Sequence, residues 1–466
     1  MSDSPGRANR EDPRLTFARK TAYGLGDFTI NTVLASLSLV YTLFFLTEYA
    51  ELRPALAGLV PLIGRIVDAF TDPLMGRISD HTHWRAGRRR PYLLLGAIPF
   101  GLAFAMMWAP APFESQLLRF AYYTGWYVLL CLAMTMLAVP YLALIPEMAR
   151  SYDNRTSLNV FRTIGSILGT FAAISVRPVA SALGGGEMSK DSFALMGVVY
   201  GVLIAAPWLI VWAATWERPE FQHRLAALSF RDGVRALLAH RTYMQLVGLY
   251  LASRIAMDLI GVVLILYFTH VLGRSCDFEI TMALFILASM IATPAWLAVS
   301  RRMDKSTAFR IGAFWWAIGN LGFLFAQPDW PRWLVIVLAP LIGLGYAAAD
   351  LMPWSMIADV VDEDDLNTGE RREGIYNGFF TFLRKLGGAS AAFLAGVVLD
   401  LAGLPSGRDV VAPESAITAI RWLASVVTSA LILWAAWLAR DYPLTRRRHA
   451  EILIELDRRD ERSDVP

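Results

Sequence analysis

Twelve stretches of this chain are apolar for long enough to cross a lipid bilayer, and they follow one another almost from end to end. They lie near residues 24–47, 55–76, 91–110, 119–145, 158–182, 193–216, 243–270, 278–299, 308–326, 332–357, 374–402 and 417–439. A helix of about 20 residues covers the roughly 30 Å hydrocarbon core. In lipid only a helix or a closed barrel satisfies its own backbone hydrogen bonds. Of the 466 residues, 56% are hydrophobic and 18% are charged, which is less charge than a soluble globular chain carries. The expected fold is an all-α membrane protein with twelve transmembrane helices.

The segments divide six and six around a polar stretch, "ERPEFQHRLAALSFRDGVRALLAHR". This gives an N-terminal six-helix bundle over 1–216, a cytoplasmic linker over 217–242, a C-terminal six-helix bundle over 243–440 and a cytoplasmic tail over 441–466. The linker is amphipathic in part and could lie along the membrane surface. Lys and Arg number 43; about 30 fall on the side that holds the N-terminus and about 7 on the other, which places both termini in the cytoplasm. The polar N-terminus lacks a short apolar core with a small-residue cleavage site, so no signal peptide is expected. "GRISDHTHWRAGRRR" follows the second segment and "SRRMDKSTAFR" the eighth. This echo suggests two similar bundles facing a central cavity. Cys131 and Cys276 fall in different segments and support neither a disulfide framework nor a metal cluster.

Charges inside the apolar segments are the candidates for function, because each is costly in hydrocarbon. Asp68 and Asp72 are four residues apart and share one helix face, with Arg65 three residues before Asp68. Two carboxylates repel unless they share a cation or a proton, and a wet cavity would supply one. The structural alternative is a salt bridge of Arg65 with one aspartate. Arg384 and Lys385 lie in the eleventh segment about 100° apart around a helix, so one of them can face the cavity. Asp27 opens the first segment, and Arg162 sits in the fifth. Arg254 and Asp258, four apart, are expected simply to pair. Asp350 has no local partner and is either a cavity group or a helix-end residue. The acidic run "DVVDEDDLNTGERRE" reads mostly as a solvated cytoplasmic loop.

"YGLGDF", "GRIVDAFTDPLMG", "AGRRRP", "VPYLALIPEM", "MIADVVDEDDLNTGERREGIYNG" and "RKLGGASA" stand together in one order and spacing. In these the chain resembles the glycoside–pentoside–hexuronide:cation symporters, the melibiose permease-like branch of the major facilitator superfamily. The resemblance implies twelve helices alternating access to a central site, driven by sodium or protons. It implies that Asp68 and Asp72 bind the cation, as a sodium site if the ion is sodium, with Thr71 and Thr135 contributing. Lys385 would link the cation and substrate sites, and Asp27 and Arg162 would contact sugar. The chain departs from the pattern at Ala138, where an acidic sugar ligand is expected, at Leu142 in place of a tryptophan, and at Asp350 in place of an aromatic platform. "VPYLAL" and "LMPWSM" also resemble the animal sodium-dependent lysophosphatidylcholine symporters.

The expected activity is therefore cation-coupled symport of a small organic solute, first a sugar or glycoside, with lysophospholipid symport as the alternative. Substrate contacts are expected at Asp27, Arg162 and Asp350. No cofactor other than the coupling ion and no nucleic-acid partner is expected; the bilayer and the solute are the partners, in an inner or plasma membrane. The chain carries no GxxxxGK[ST], HExxH or GxSxG motif, so an enzyme has no sequence support. The paired six-helix plan speaks against a channel.

Overall fold

The computed structural model describes residues 14–82, 84, 87–149, 152–217, 237–238, 240–369, 373–408 and 410–463. Among them there is no β-strand, and twelve helices are long and apolar enough to cross a membrane. They are α1 (Phe17–Tyr49), α2 (Pro54–His81), α3 (Arg90–Met107), α4 (Gln116–Met148), α5 (Asn154–Ile174) and α6 (Lys190–Ala214), then α7 (Arg241–Val271), α8 (Ser275–Ser300), α9 (Lys305–Phe325), α10 (Arg332–Thr368), α11 (Ile375–Leu401) and α12 (Glu414–Leu438). A short helix, Val176–Leu183, follows α5, and α13 (Arg446–Ser463) follows α12. Large apolar side chains such as Ile98, Ile291 and Ile318 are 65–76% exposed. Apolar surface on this scale belongs against lipid. Most of the linker, residues 218–236, and the first 13 residues lie outside the described ones.

The chain forms two units: Met1–Leu225 with Pro405–Val411, and Ala226–Leu404 with Ala412–Pro466. In the first, α1 packs on α5 and α6, α2 on α4, and α3 on α4 and α6. In the second, α7 packs on α11 and α12, α8 on α10, and α9 on α10 and α12. Adding six to each helix number of the first unit gives the pairings of the second, so the repeat is architectural. The two echoing loops acquire a shared role. At the start of α3, Arg89 binds Glu147 at the end of α4 at 2.7 Å; at the start of α9, Lys305 binds Asp359 of α10 at 2.7 Å.

The first unit closes by small-residue contact. A Cβ on Gly165 of α5 would stand 2.1 Å from the backbone oxygen of Gly24 in α1, so only glycine allows the two backbones to meet. The start of α3 is built around Glu217, which follows α6. Its carboxylate accepts the backbone N–H groups of Arg88, Arg89 and Arg90 at 2.8, 2.8 and 2.9 Å, where a helix N-terminus favours negative charge. Gly87 has φ 108°, and a Cβ there would lie 2.5 Å from Glu217 Oε1. Gly87→Ala is therefore expected to lower stability by about 1–3 kcal/mol, read as a fall in the unfolding temperature of the purified protein. Unchanged unfolding would show that the cap is dispensable.

At the opposite ends of these helices, Glu51 accepts from Lys190 at 2.5 Å and from Arg119 at 2.8 Å, joining the α1–α2 turn to α6 and α4. The Lys190 bond, then that of Arg119, holds the Glu51 carboxyl below the usual carboxylate range. A carboxyl lowered by folding stabilises above its unfolded value, and that stability is lost as pH falls through the folded one. Acid should thus narrow the difference in unfolding temperature between the wild type and Glu51→Gln. A difference independent of pH would refute the ion pairing.

The expected loop "DVVDEDDLNTGERRE" is corrected: the helix continues through Thr368. Asp359 and Asp364 are 6% and 3% exposed. Through Asp365 the run is covered by α13 rather than solvated, with His449 3.1 Å from Asp362 and Arg459 2.7 Å from Asp365; residues 370–372 lie outside the described ones. The charges indicated water, but positive partners distant in sequence surround them.

Candidate functional site

The central part of α2 carries the first site. Pro73 cannot donate to the ladder, which loosens the helix beside Asp72. Asp68 is 1% exposed, and its Oδ2 accepts from Arg65 Nη1 at 2.7 Å. The salt bridge weighed from sequence therefore forms, and it takes Asp68. One turn on, Asp72 Oδ1 accepts from the hydroxyl of Thr135 in α4 at 2.6 Å. Close approach of the two helices makes this possible, since a Cβ on Gly64 would lie 2.3 Å from the Tyr127 ring. Thr71 donates to its own helix at Val67 O, 3.1 Å, which leaves its oxygen lone pairs to accept or coordinate. Two carboxylates, two hydroxyl oxygens and one guanidinium thus come from α2 and α4. Hard oxygen donors of this kind suit a proton or a small alkali cation. Among the described residues no three His, Cys, Asp or Glu side chains converge as for a metal.

The second site joins α1, α4 and α5. Arg162 grips Asp27 with two nitrogens, Nε to Oδ2 at 2.6 Å and Nη2 to Oδ1 at 3.2 Å. The Tyr141 hydroxyl lies 2.6 Å from Asp27 Oδ2 and 2.7 Å from Tyr23 O. Tyr23 in turn donates to Tyr141 O at 2.7 Å, and the two rings stack with centroids 4.4 Å apart. Arg162 also donates to Asn159 Oδ1 at 2.9 Å. Asp27 and Arg162 are expected from the sequence; Tyr141, next to the departure at Leu142, is not.

The second unit holds the remaining candidates. Arg254 and Asp258 pair as expected, in a bidentate bridge at 2.8 and 2.6 Å. A Cβ on Gly388 of α11 would strike Asp258 Oδ2 at 2.5 Å, so the "LGG" that follows Lys385 admits this pair. Asp350 is no helix-end residue: it lies within α10 and lines a small pocket with Arg254, Tyr250, Ser253, Tyr346 and Trp316. Tyr250 is 2% exposed. Lys385 is half-buried on α11 and Arg384, its neighbour, is exposed.

The profile of the family described as MFS/sugar transport protein matches residues 22–446. The chain belongs to this family. The transporter is 29% identical to a symporter of Synechocystis sp., sll1374, over 97% of its own length and 98% of the relative's. It is 26% identical to the sodium-dependent lysophosphatidylcholine symporter 1 of Gallus gallus, covering 96% and 89% of the two chains. It is 25% identical to the isoprimeverose transporter of Lactiplantibacillus pentosus, covering 83% and 81%. Among solved structures, the nucleoside transporter NupG superposes with a TM-score of 0.65 at 14% identity, over 92% of this chain and 98% of that one. This likeness shows the fold. The transporter is thus a multi-pass membrane protein of the major facilitator type and not an enzyme.

Proposed function

We propose that the protein is a cation-coupled symporter that carries a small polar organic solute, a sugar or glycoside, by alternating access. The observation that carries this reading is the Asp68–Asp72 pair with Thr135, an oxygen site set in an apolar helix where ionised carboxylates are costly. Asp68 and Asp72, with Thr71 and Thr135, hold sodium or a proton. Lys385 couples that site to the solute, and Asp27, Arg162 and Asp350 contact the solute. A filled cation site neutralises the pair, and only the state with both sites filled, or both empty, changes rapidly from outward- to inward-facing, so the ion gradient drives uptake. The family description and the name of the Lactiplantibacillus relative support the sugar class. The asymmetry of Lys and Arg supports cytoplasmic termini, in an inner or plasma membrane.

A second reading, lysophospholipid symport, is favoured by the Gallus relative and by the apolar Leu142, 45% exposed, where the resembling motif has a tryptophan. Uptake of radiolabelled glycosides and lysophosphatidylcholine into proteoliposomes, under a sodium or a proton gradient, decides. Gradient-driven glycoside uptake is the expected result. Uptake of the lysolipid alone replaces the first reading with the second, and uptake of either without a gradient removes the coupling.

A further inference from the structure

We propose that the arginine cluster where α8, α9, α12 and α13 meet binds anionic phospholipid headgroups, and that the exposed face of α13 seats in the same leaflet. The level of the bilayer surface is marked by α12, whose final turns expose Trp434 at 53% and Trp437 at 64% before Arg440. Tryptophans at a helix end sit at the headgroup level. The first turn of α13 is brought to this level by the α8–α9 turn. The backbone N–H of Arg446 donates to Asp304 Oδ1 at 2.8 Å, and its guanidinium donates to the Arg301 carbonyl. Arg301, Arg302, Arg440, Arg446, Arg447 and Arg448 are therefore gathered in one region, and all six are exposed. Their nearest acids are fewer: Asp304, Asp441 beside Arg440 at 4.0 Å, Glu451 at 3.2 and 3.3 Å from Arg447 and Arg448, and Glu455 at 4.0 Å from Arg448. The region keeps an excess of about two positive charges, the sign that attracts an anionic leaflet.

The shape of α13 points to the same partner. Ile452 and Leu456 are buried, and His449 and Arg459 bind acids of α10, so this face holds the helix to its own unit. Leu453 and Ile454 remain 42% and 52% exposed on an otherwise polar helix. Leu453 is seven residues from Arg446 and Ile454 seven from Arg447, so arginine and apolar side chains share the outer face. Such a helix lies in the interface plane, its apolar groups in the acyl boundary and its arginines at the phosphates.

The test uses the full-length protein in detergent, titrated with palmitoyl-oleoyl phosphatidylglycerol or the matching phosphatidylcholine, with bound lipid counted by native mass spectrometry. Two excess charges predict a preference for phosphatidylglycerol of roughly thirtyfold, shrinking as salt rises. The combined Arg301→Gln, Arg302→Gln, Arg446→Gln and Arg447→Gln variant should lose most of that preference. Leu453→Ser with Ile454→Ser should weaken the binding of both lipids. Equal affinity for the two lipids, or a preference untouched by the arginine variant, overturns the proposal. So does displacement of the lipid by equimolar inorganic phosphate, which would make this a free-anion site. Should the arginine variant not fold, the salt titration of the wild type decides: a preference constant with salt overturns the inference.

Discussion

Asp72→Asn is expected to bring the steady-state accumulation of the carried solute down to a concentration ratio of about one. In the wild type, a membrane potential of about 100 mV supplies roughly 2.3 kcal/mol for each co-transported charge, enough for about fifty-fold accumulation. The substitution keeps the shape of the side chain and an oxygen that can accept from Thr135, at 2.6 Å in the native protein, so the fold should be retained. Only the charge is removed, and with it the feature on which the proposed cation site rests. Exchange of labelled for unlabelled solute at equal concentrations need not be lost, which separates uncoupling from misfolding. Asp68→Asn should also abolish accumulation, but it additionally leaves the Arg65 guanidinium without the carboxylate charge that faces it at 2.7 Å, so lower stability is expected there and not at Asp72. Lys385→Ala should uncouple or block transport. Wild-type accumulation by either aspartate variant removes the cation site from this helix.

The largest expected loss of stability is at Asp27. Its side chain is 13% exposed and that of Arg162 21%, so the pair is largely shielded from water. Removing one member of a buried pair leaves the other charge uncompensated, at a cost of about 3–5 kcal/mol. Asp27→Ala should therefore lower the yield of folded protein and the unfolding temperature sharply. Replacing both members, Asp27→Asn with Arg162→Gln, should recover most of that loss, because two neutral amides can bond to each other. Tyr141→Phe should cost less, about 1–2 kcal/mol, since a single hydroxyl is removed. If the double variant unfolds as readily as Asp27→Ala, the damage lies elsewhere than in the orphaned guanidinium.

Much of the architecture could be read from the chain because lipid imposes it. Twelve apolar runs can become only helices, and the echo of "GRISDHTHWRAGRRR" in "SRRMDKSTAFR" corresponds to the Arg89–Glu147 and Lys305–Asp359 bridges. Local spacing also disclosed Arg65–Asp68 and Arg254–Asp258, three and four residues apart. Contacts across the chain were less legible. The Asp72–Thr135 bond spans 63 residues and the Asp27–Arg162 bridge 135. Resemblance could name those positions, but it could not give their geometry. Glu217 carried no signal, since a lone acid after an apolar segment is ordinary and its partners are backbone groups. The far end of α10 was misread for the same reason: Asp359, Asp362 and Asp365 look solvated until Lys305, His449 and Arg459 are placed beside them.

α10 has a consequence for how this protein can be studied. With 37 residues it is about 55 Å long, well beyond a hydrocarbon core of roughly 30 Å. Its protruding turns, which follow the internal Pro353, are clasped by α13, so the C-terminal helix moves with the end of a membrane-rooted helix. A fluorophore or spin label attached to an outward position of that helix, such as Glu455, will follow the clasped end of α10 instead of swinging on a loose tether.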